Sequence, residues 1–309
     1  MWYPMNQFQV HSRSISEYLR EKTSGMDNPS LQPVVFVTGS FDDLKSNHIR
    51  FLQEASKLGS VHVLLFSDKV CQTINGKKPK FSENERRYYL ESIRYVIQLT
   101  MIHTAIGENE IPQIDALKKD VQVPPIWALQ EKTADSSKKE FCRIHDLRYH
   151  VIPHSDLVGF PVDNADLHSE DSKRKKVAVS GCFDWVHSGH IQFFEELSAF
   201  GDLFVIVGHD DNVKLLKGKG HPMFPQDERR YWVQSIRFVK QALISSGHGW
   251  LDAEPEILKI KPDIYAVNED GDKPEKRNFC LEYHIEYKIL KRQPKPGLPT
   301  RISSILRGF

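Results

Sequence analysis

One stretch of the sequence decides how the chain folds, and it reads Gly181-Cys182-Phe183-Asp184-Trp185-Val186-His187-Ser188-Gly189-His190. The short apolar run before it, from Val177 to Val179, indicates a buried strand. Apolar residues at helical spacing follow it from Ile191 to Phe200 and stop at Gly201. The stretch therefore lies where a strand turns into a helix, which is where open α/β sheets bind ligands.

The residue types in this turn suit a phosphate. Gly181 allows close approach of the backbone, while Gly189 and His190 begin the helix, whose free N–H groups and dipole favour an anion. Two imidazoles, His187 and His190, can both face that anion. The pattern predicts a site for the α-phosphate of a nucleoside triphosphate. Two alternatives are weaker: the histidines are ordinary turn residues, or they bind zinc, for which no cysteine or carboxylate at ligand spacing completes the set.

The chain contains one internal repeat of domain size. The segment at residues 37–42 recurs at 179–184, and the repeat runs from about residue 33 to 152 and again from about 175 to 290. Further matches keep the same order in both copies: His48-Ile49 with His190-Ile191, Glu85-Arg86-Arg87-Tyr88 with Glu228-Arg229-Arg230-Tyr231, Ser92-Ile93-Arg94 with Ser235-Ile236-Arg237, and Phe141-Cys142 with Phe279-Cys280.

Each copy alternates strands with helices, so we expect two tandem Rossmann-like α/β domains with parallel sheets. Like domains usually pack isologously, which predicts an intramolecular pseudo-dimer. The linker is placed where Gly, Pro, Asp and Ser residues accumulate. The predicted organisation is an N-terminal extension at 1–32, a first domain at 33–155, a linker at 156–175 and a second domain at 176–309.

Composition limits the classes of function. Of the 309 residues, 39% are hydrophobic and 27% are charged, with a net charge of +1, so bulk electrostatics indicates neither nucleic acid nor an anionic membrane as a partner. There is no run of about 18 apolar residues and no apolar leader at the N-terminus. The four cysteines form no CxxC pair, which favours a reducing compartment. We therefore expect a cytoplasmic protein without a membrane span.

The pattern GxFDxxHxGH at a strand–helix junction resembles the cytidylyltransferase superfamily of nucleotidyltransferases, and the resemblance covers both copies. The segment from Asp210 to Gly220 is most similar to bacterial heptose-phosphate nucleotidyltransferases, and the tandem layout resembles ethanolamine-phosphate cytidylyltransferase. The resemblance implies an enzyme that moves a CMP or AMP group from CTP or ATP to a small phosphorylated acceptor, with Mg²⁺ assisting and pyrophosphate leaving. The alternative is a non-catalytic nucleotide-binding or regulatory protein.

The resemblance also implies roles for single residues. His187 and His190 would stabilise the α-phosphate as the acceptor attacks. Lys217, with Lys214 as its competitor, would neutralise phosphate charge from a mobile loop that contains two glycines. The alternative is that both lysines belong to a solvated face of the loop.

The C-terminal segment Thr300–Ser304 resembles the last motif of the family, in which Arg301 and the two serines would hold the β- and γ-phosphates. The serines alone would also fit as helix caps. Asn268 follows a predicted strand where the family contacts the base, and Arg229 matches the arginine at the head of the family's next helix. The implied catalytic set is His187, His190, Lys217 and Arg301, and the nucleotide-binding set is Gly181, Cys182, Phe183, Asp184, Gly189, Lys214, Arg229, Asn268, Ser303 and Ser304.

The first copy departs from this pattern. It has Lys45-Ser46-Asn47-His48 where the second copy has its two histidines, so one imidazole and the glycine at the helix start are lost. No Arg-x-Ser-Ser element follows Ile152. We therefore expect the first domain to be catalytically inactive and the second domain to carry one nucleotide site.

Overall fold

The computed structural model describes residues 32–104, 107, 109–118, 123–162, 172–291 and 293–306. Residues 1–31, nearly all of the predicted extension, and residues 163–171 of the predicted linker lie outside this description. No helix within these ranges is long and apolar enough to cross a membrane.

The first sheet and its helices come from residues 34–152. Its strands are β1 (Val34–Gly39), β2 (Ser60–Phe66), β3 (Val96–Ile102), β4 (Ile126–Gln130) and β5 (Arg148–Ile152). Its helices are α1 (Ser46–Ser56), α2 (Asp68–Asn75), α3 (Glu83–Ser92), α4 (Ile114–Leu117) and α5 (Ser136–Ile144). The strands are parallel, in the order β3-β2-β1-β4-β5.

The second sheet repeats this plan. Its strands are β6 (Lys176–Gly181), β7 (Asp202–Val207), β8 (Val239–Ile244), β9 (Ile264–Asn268) and β10 (Glu286–Leu290). Its helices are α6 (Ser188–Ser198), α7 (Asp210–Lys217), α8 (Gln226–Gln234), α9 (Glu254–Ile260), α10 (Pro274–Glu282) and the short α11 (Ser303–Leu306). The parallel order β10-β9-β6-β7-β8 is the order of the first sheet read from the opposite edge. The expected fold class, two Rossmann-like α/β units in tandem, is confirmed.

The strand order decides where a ligand can bind. From β6 the chain passes to β7 on one side, and it later returns to β9 on the other side. Helices that leave the two sides of β6 diverge, so a crevice opens beyond the carboxyl ends of β6 and β9. The same crevice lies beyond β1 and β4 in the first half.

The two halves share their hydrophobic packing. Phe81, Tyr88 and Tyr89 of the first half belong to the same buried cluster as Phe183 and Phe193 of the second half. The burial of these large aromatic side chains between the halves stabilises their association, because each removes a large apolar area from water.

Backbone hydrogen bonds between the halves come in reciprocal pairs. The N–H of Arg94 donates to the carbonyl of Ser235 (2.9 Å), and the N–H of Arg237 donates to the carbonyl of Ser92 (2.8 Å). Ile93 and Ile236 form an antiparallel bridge between these contacts. The repeated Ser-Ile-Arg segments therefore meet each other across an approximate two-fold relation.

Candidate active site

A cleft of about 410 Å³ lies beyond the carboxyl ends of β6 and β9. Its walls come from the turn after β6, from α7, from the end of β9 and from the C-terminal segment. Among the residues singled out from the sequence, those that line it are Gly181, Cys182, Phe183, Asp184, His187, His190, Lys217, Asn268 and Ser303.

His187 and His190 face each other at the start of α6, with ring centroids 4.0 Å apart. The Nδ1 atom of His187 accepts a hydrogen bond from the N–H of Gly189 (3.2 Å), and Nδ1 of His190 accepts one from the N–H of His187 (3.4 Å). A ring nitrogen that accepts a hydrogen bond carries no proton, so this pattern assigns the proton of each neutral ring to Nε2. Each imidazole thus has an Nε2–H donor on the side opposite the helix backbone.

Two glycines of the motif lie close to aromatic rings, so a larger residue would have to displace those rings. A Cβ on Gly189 would lie 3.1 Å from the ring of His187, which folds back over this residue. A Cβ on Gly181 would lie 2.9 Å from the ring of Phe183. That ring in turn packs against His190, with centroids 5.6 Å apart. These neighbouring residues therefore restrict the orientation of both imidazoles.

Asp184 ties the motif to the loop that follows α7. Its Oδ1 accepts hydrogen bonds from the N–H groups of Met223 (2.7 Å) and Phe224 (3.1 Å), and its Oδ2 lies 3.3 Å from Nδ1 of His221. Asp42 holds the equivalent loop of the first half through the N–H groups of Lys80 and Phe81. This carboxylate shapes the wall of the cleft by fixing the loop.

The two lysines lie on a helix and not on the loop that the sequence indicated. Both Lys214 and Lys217 belong to the last turn of α7, which ends at Gly218 with a φ of +81°. Acidic residues in the first turn and basic residues in the last turn stabilise this helix through its dipole. Lys217 lines the cleft. Its position there is set by the end of α7.

Arg229 lies beneath the cleft. Its guanidinium donates to the carbonyls of Phe224, Cys182 and Gly208, and to the carboxylate of Asp210 at 2.7 Å. It is 2% exposed. Burial raises the pKa of the neighbouring Cys182 thiol. Through these contacts Arg229 holds the ends of β6 and β7 against α8. Its direct contact with a nucleotide stays a prediction.

Arg301 points toward the first half. Its Nε and Nη2 donate to the two carboxylate oxygens of Glu85, at 2.9 and 2.7 Å. The next residues along the chain, Ile302 and Ser303, line the cleft, and Ser303 Oγ donates to the carbonyl of Trp185 at 3.4 Å. The side chain of Ser304 lies outside the described residues.

Sequence reasoning missed Lys276 of α10. This lysine lines the cleft although it is 7% exposed. Burial lowers the pKa of its ammonium group, and the nearby Asp252 opposes part of that effect. Within the described ranges this ammonium makes no hydrogen bond. Its nitrogen lies 5.8 Å from the centre of the Tyr265 ring. The repeat was a usable signal, because Phe279-Cys280 aligns Lys276 with Lys138 of the first half.

Two further cleft residues, Asn268 and Trp250, offer groups that could contact a ligand. The Oδ1 atom of Asn268 is buried without a hydrogen-bond partner in the described part of the chain, which is costly unless a ligand or water supplies a donor. Trp250 is 45% exposed at the cleft, and the ammonium of Lys273 lies 4.4 Å above its ring. The cleft thus contains polar and aromatic groups in addition to the histidines.

The first half keeps a cleft of about 300 Å³ at the equivalent place. His48 remains there, and its Nδ1 accepts the N–H of Lys45 at 3.1 Å. Lys138 also lines this cleft, but it donates to Asp135 (2.5 Å) and Asn109 (3.0 Å). Lys138 is therefore paired within the protein, while Lys132 also lines this cleft.

Comparison with known proteins agrees with this geometry. A sequence model of the family described as cytidylyltransferase-like matches residues 178–289, which begin in β6 and contain the paired histidines. An FAD synthase of Archaeoglobus profundus is 34% identical over 131 residues, which cover 42% of this chain and 74% of that protein. The chain belongs to the cytidylyltransferase-like family.

Other relatives match this cytidylyltransferase-like chain over shorter lengths. An FAD synthase of Ferroglobus placidus is 39% identical over 97 residues, which are 31% of this chain and 60% of that protein. The bifunctional protein HldE of Campylobacter concisus is 34% identical over 106 residues, which are 34% of this chain and 22% of that protein. The expectation of an enzyme of the nucleotidyltransferase class is confirmed.

Proposed function

We propose that the second half catalyses transfer of a nucleotidyl group, CMP or AMP, from CTP or ATP to a small phosphorylated acceptor. The observation that carries this proposal is the pair of imidazoles at the start of α6, each with its proton assigned to Nε2 and each lining the cleft. Two fixed donors at a helix N-terminus suit a phosphate that gains negative charge.

The proposed reaction has one chemical step. An oxygen of the acceptor phosphate attacks the α-phosphorus, a new P–O bond forms, and the bond from the α-phosphorus to the bridging oxygen breaks to release pyrophosphate. His187 and His190 donate hydrogen bonds to the non-bridging α-phosphate oxygens as their charge grows. Lys217 and Lys276 supply positive charge along the cleft, and the reaction needs no covalent enzyme intermediate.

Mg²⁺ would enter with the triphosphate. The described residues contain no group of three or more His, Cys, Asp or Glu side chains that could hold an ion, and Asp184 already receives two backbone N–H groups. Mg²⁺ keeps several waters and is commonly held by substrate phosphates, which fits a cleft with few available carboxylates. When bound, it would neutralise charge on the leaving pyrophosphate.

The domain roles form part of the proposal. Residues 176–309 would make up the catalytic domain and residues 33–155 the inactive partner, with residues 1–32 and 156–175 as extension and linker. The reciprocal contacts of Ser92, Arg94, Ser235 and Arg237 support a pseudo-dimer of these domains. The buried Oδ1 of Asn268, which has no hydrogen-bond partner among the described residues, supports a role in holding an amino group of the base.

A pyrophosphate-release screen tests the activity. CTP and ATP would each be offered with phosphoethanolamine, phosphocholine, glycerol phosphate, sugar phosphates and, because relatives are named FAD synthase, flavin mononucleotide. We expect release with one nucleotide and one acceptor class, abolished when either substrate is omitted. Nucleotide binding without release on any acceptor would instead favour a regulatory nucleotide-binding protein.

A further inference from the structure

We propose that Glu85, in the first half, positions the active site of the second half. This inference rests on the proposed function, because it assigns Glu85 to the cleft that contains His187 and His190. It gives the inactive half a part in the reaction that neither its own altered motif nor the family match to residues 178–289 indicates.

The carboxylate of Glu85 is a buried charge. Glu85 lies in α3 and is 0% exposed. A buried carboxylate is costly unless it is paired, and a bidentate arginine is the partner that compensates it best. Both oxygens of Glu85 receive the guanidinium of Arg301, at 2.9 and 2.7 Å, across the boundary between the halves.

Glu85 and its neighbour Tyr89 also contact the histidine turn directly. Oε1 of Glu85 also accepts the hydroxyl of Ser188 at 3.3 Å, and the hydroxyl oxygen of Tyr89 accepts the N–H of Ser188 at 3.0 Å. Ser188 is the first residue of α6 and lies between His187 and Gly189. Helix α3 of the first half therefore holds both the backbone and the side chain of the turn that orients the imidazoles.

The carboxylate of Glu85 joins two walls of the cleft. On one side it holds Ser188 beside the histidines. On the other side it holds Arg301, which precedes the cleft residues Ile302 and Ser303. A shift of this carboxylate would move the α-phosphate donors relative to the C-terminal segment, and small displacements of catalytic groups are expensive in rate.

The two halves differ in the contacts that this glutamate position makes. Glu228 occupies the repeat position equivalent to Glu85, and it accepts the hydroxyl of Ser46 (2.5 Å) at the start of α1. There the motif is incomplete, and within the described ranges no arginine or lysine pairs with Glu228. Among the described residues, the ion pair therefore occurs on the side that faces the complete motif and not on the other.

The experiment compares Glu85→Gln with Glu228→Gln, a matched variant that weakens the mirror-related contact at the same interface. Neutral glutamine keeps the size of the side chain but cannot form the bidentate ion pair. For Glu85→Gln we expect kcat to fall by about tenfold or more, with a smaller change in the KM for the nucleotide, since positioning errors act mainly in the transition state. For Glu228→Gln we expect kcat within about twofold of wild type.

A readout independent of turnover separates this inference from the proposed function. In ¹⁵N-histidine NMR spectra of the full chain, Glu85→Gln should shift the ring resonances of His187 and His190, whereas Glu228→Gln should leave them unchanged. If no substrate pair supports turnover in wild type, the proposed function fails, and these spectra still decide whether Glu85 holds the histidine turn.

Two outcomes would overturn the inference. One is wild-type kcat and unchanged histidine resonances in folded Glu85→Gln, and the other is an equal loss of kcat in both variants. If Glu85→Gln does not fold, Ser188→Ala serves instead, because it removes the hydroxyl that Oε1 of Glu85 accepts and leaves the carboxylate in place. Its kcat should fall by severalfold, and unchanged kcat and spectra in this variant would also contradict the inference.

Discussion

The two halves of the molecule have the same sheet order and keep a cleft at the same place, yet they treat the groups in that cleft differently. In the second half, Lys276 lines the cleft without a hydrogen bond in the described ranges, whereas its counterpart Lys138 is paired with Asp135 and Asn109. The position of His187 is taken by Lys45 in the first half. The structure pairs the lysine of the first cleft with an acidic side chain but, in the described ranges, not its counterpart in the second cleft. A buried charge without a partner is costly unless a ligand supplies one.

The largest expected effect is a loss of turnover when either histidine of the second half is replaced. In the proposed reaction each Nε2–H donates to charge that develops in the transition state, and loss of one such donor costs on the order of 3 kcal/mol, about a hundredfold in rate. We therefore expect His187→Ala and His190→Ala each to lower kcat at saturating nucleotide by about that factor. Steady-state kinetics with circular dichroism as a folding check measures this.

His48→Ala is the matched control for the histidine variants. It removes the remaining imidazole from the cleft of the first half, so turnover should stay within a few-fold of wild type. Near wild-type rates in folded His187→Ala and His190→Ala would mean that these are ordinary turn residues. A large loss in His48→Ala would mean that the first cleft takes part in the reaction.

The next effect concerns the two lysines. Lys276→Met removes a buried cation from the substrate cleft, and a hydrogen bond to a charged group contributes roughly 1.5–3 kcal/mol, so the KM for the nucleotide should rise by about tenfold or more. Lys138→Met should leave KM unchanged and lower the melting temperature, because Asp135 and Asn109 lose their partner. Unchanged KM in Lys276→Met would remove this lysine from the site.

A third test counts the sites. Because the motif is complete only in the second half, isothermal titration calorimetry with CTP or ATP and Mg²⁺ should give one site per chain. His187→Ala should weaken this site, while Lys45→Ala in the first half should leave it unaltered. Two equivalent sites per chain would show that the first cleft still binds nucleotide and would end the functional contrast between the halves.

The smallest expected effect is a pH dependence of stability in the first half. Burial lowers the pKa of His48 and of His62 from 6.5 to about 4, and for His48 the charges of Lys132 and Lys45 add to the effect. The unfolded chain binds protons below about pH 6.5, whereas the folded chain does so only near pH 4. The free energy of unfolding should therefore fall as pH drops through this window.

Urea unfolding at pH 7.5 and pH 5 measures this dependence. The double variant His48→Gln and His62→Gln should show a smaller fall between the two pH values than wild type. The His284→Gln variant, which changes a histidine on the second half, serves as a control and should keep the wild-type difference. An equal fall in all three proteins would place the acid sensitivity elsewhere.

Much of the fold follows from the sequence because its signals are local. The apolar runs that end at Gly39 and Gly181 predicted β1 and β6, and the repeat extended the prediction from one half to the other. The edge strands β3, β5, β8 and β10 were not predicted, because their alternation is irregular and their exposure depends on the neighbouring strand. Lys217 was placed on a loop for a similar reason: Gly218 and Gly220 signal a break, but not on which side of the lysine it falls.

The sequence by itself determined the hydrogen bonds within the histidine turn, because they join residues at most three apart. Only the tertiary structure decided the partner of Arg301, since Glu85 lies 216 residues away in the chain and no local pattern connects them. The same holds for Lys276, whose burial and freedom from a carboxylate hydrogen bond follow from how α10 packs on β9. Local sterics and helix capping depend on neighbouring residues, whereas charge pairing and desolvation depend on which distant surfaces the fold brings together.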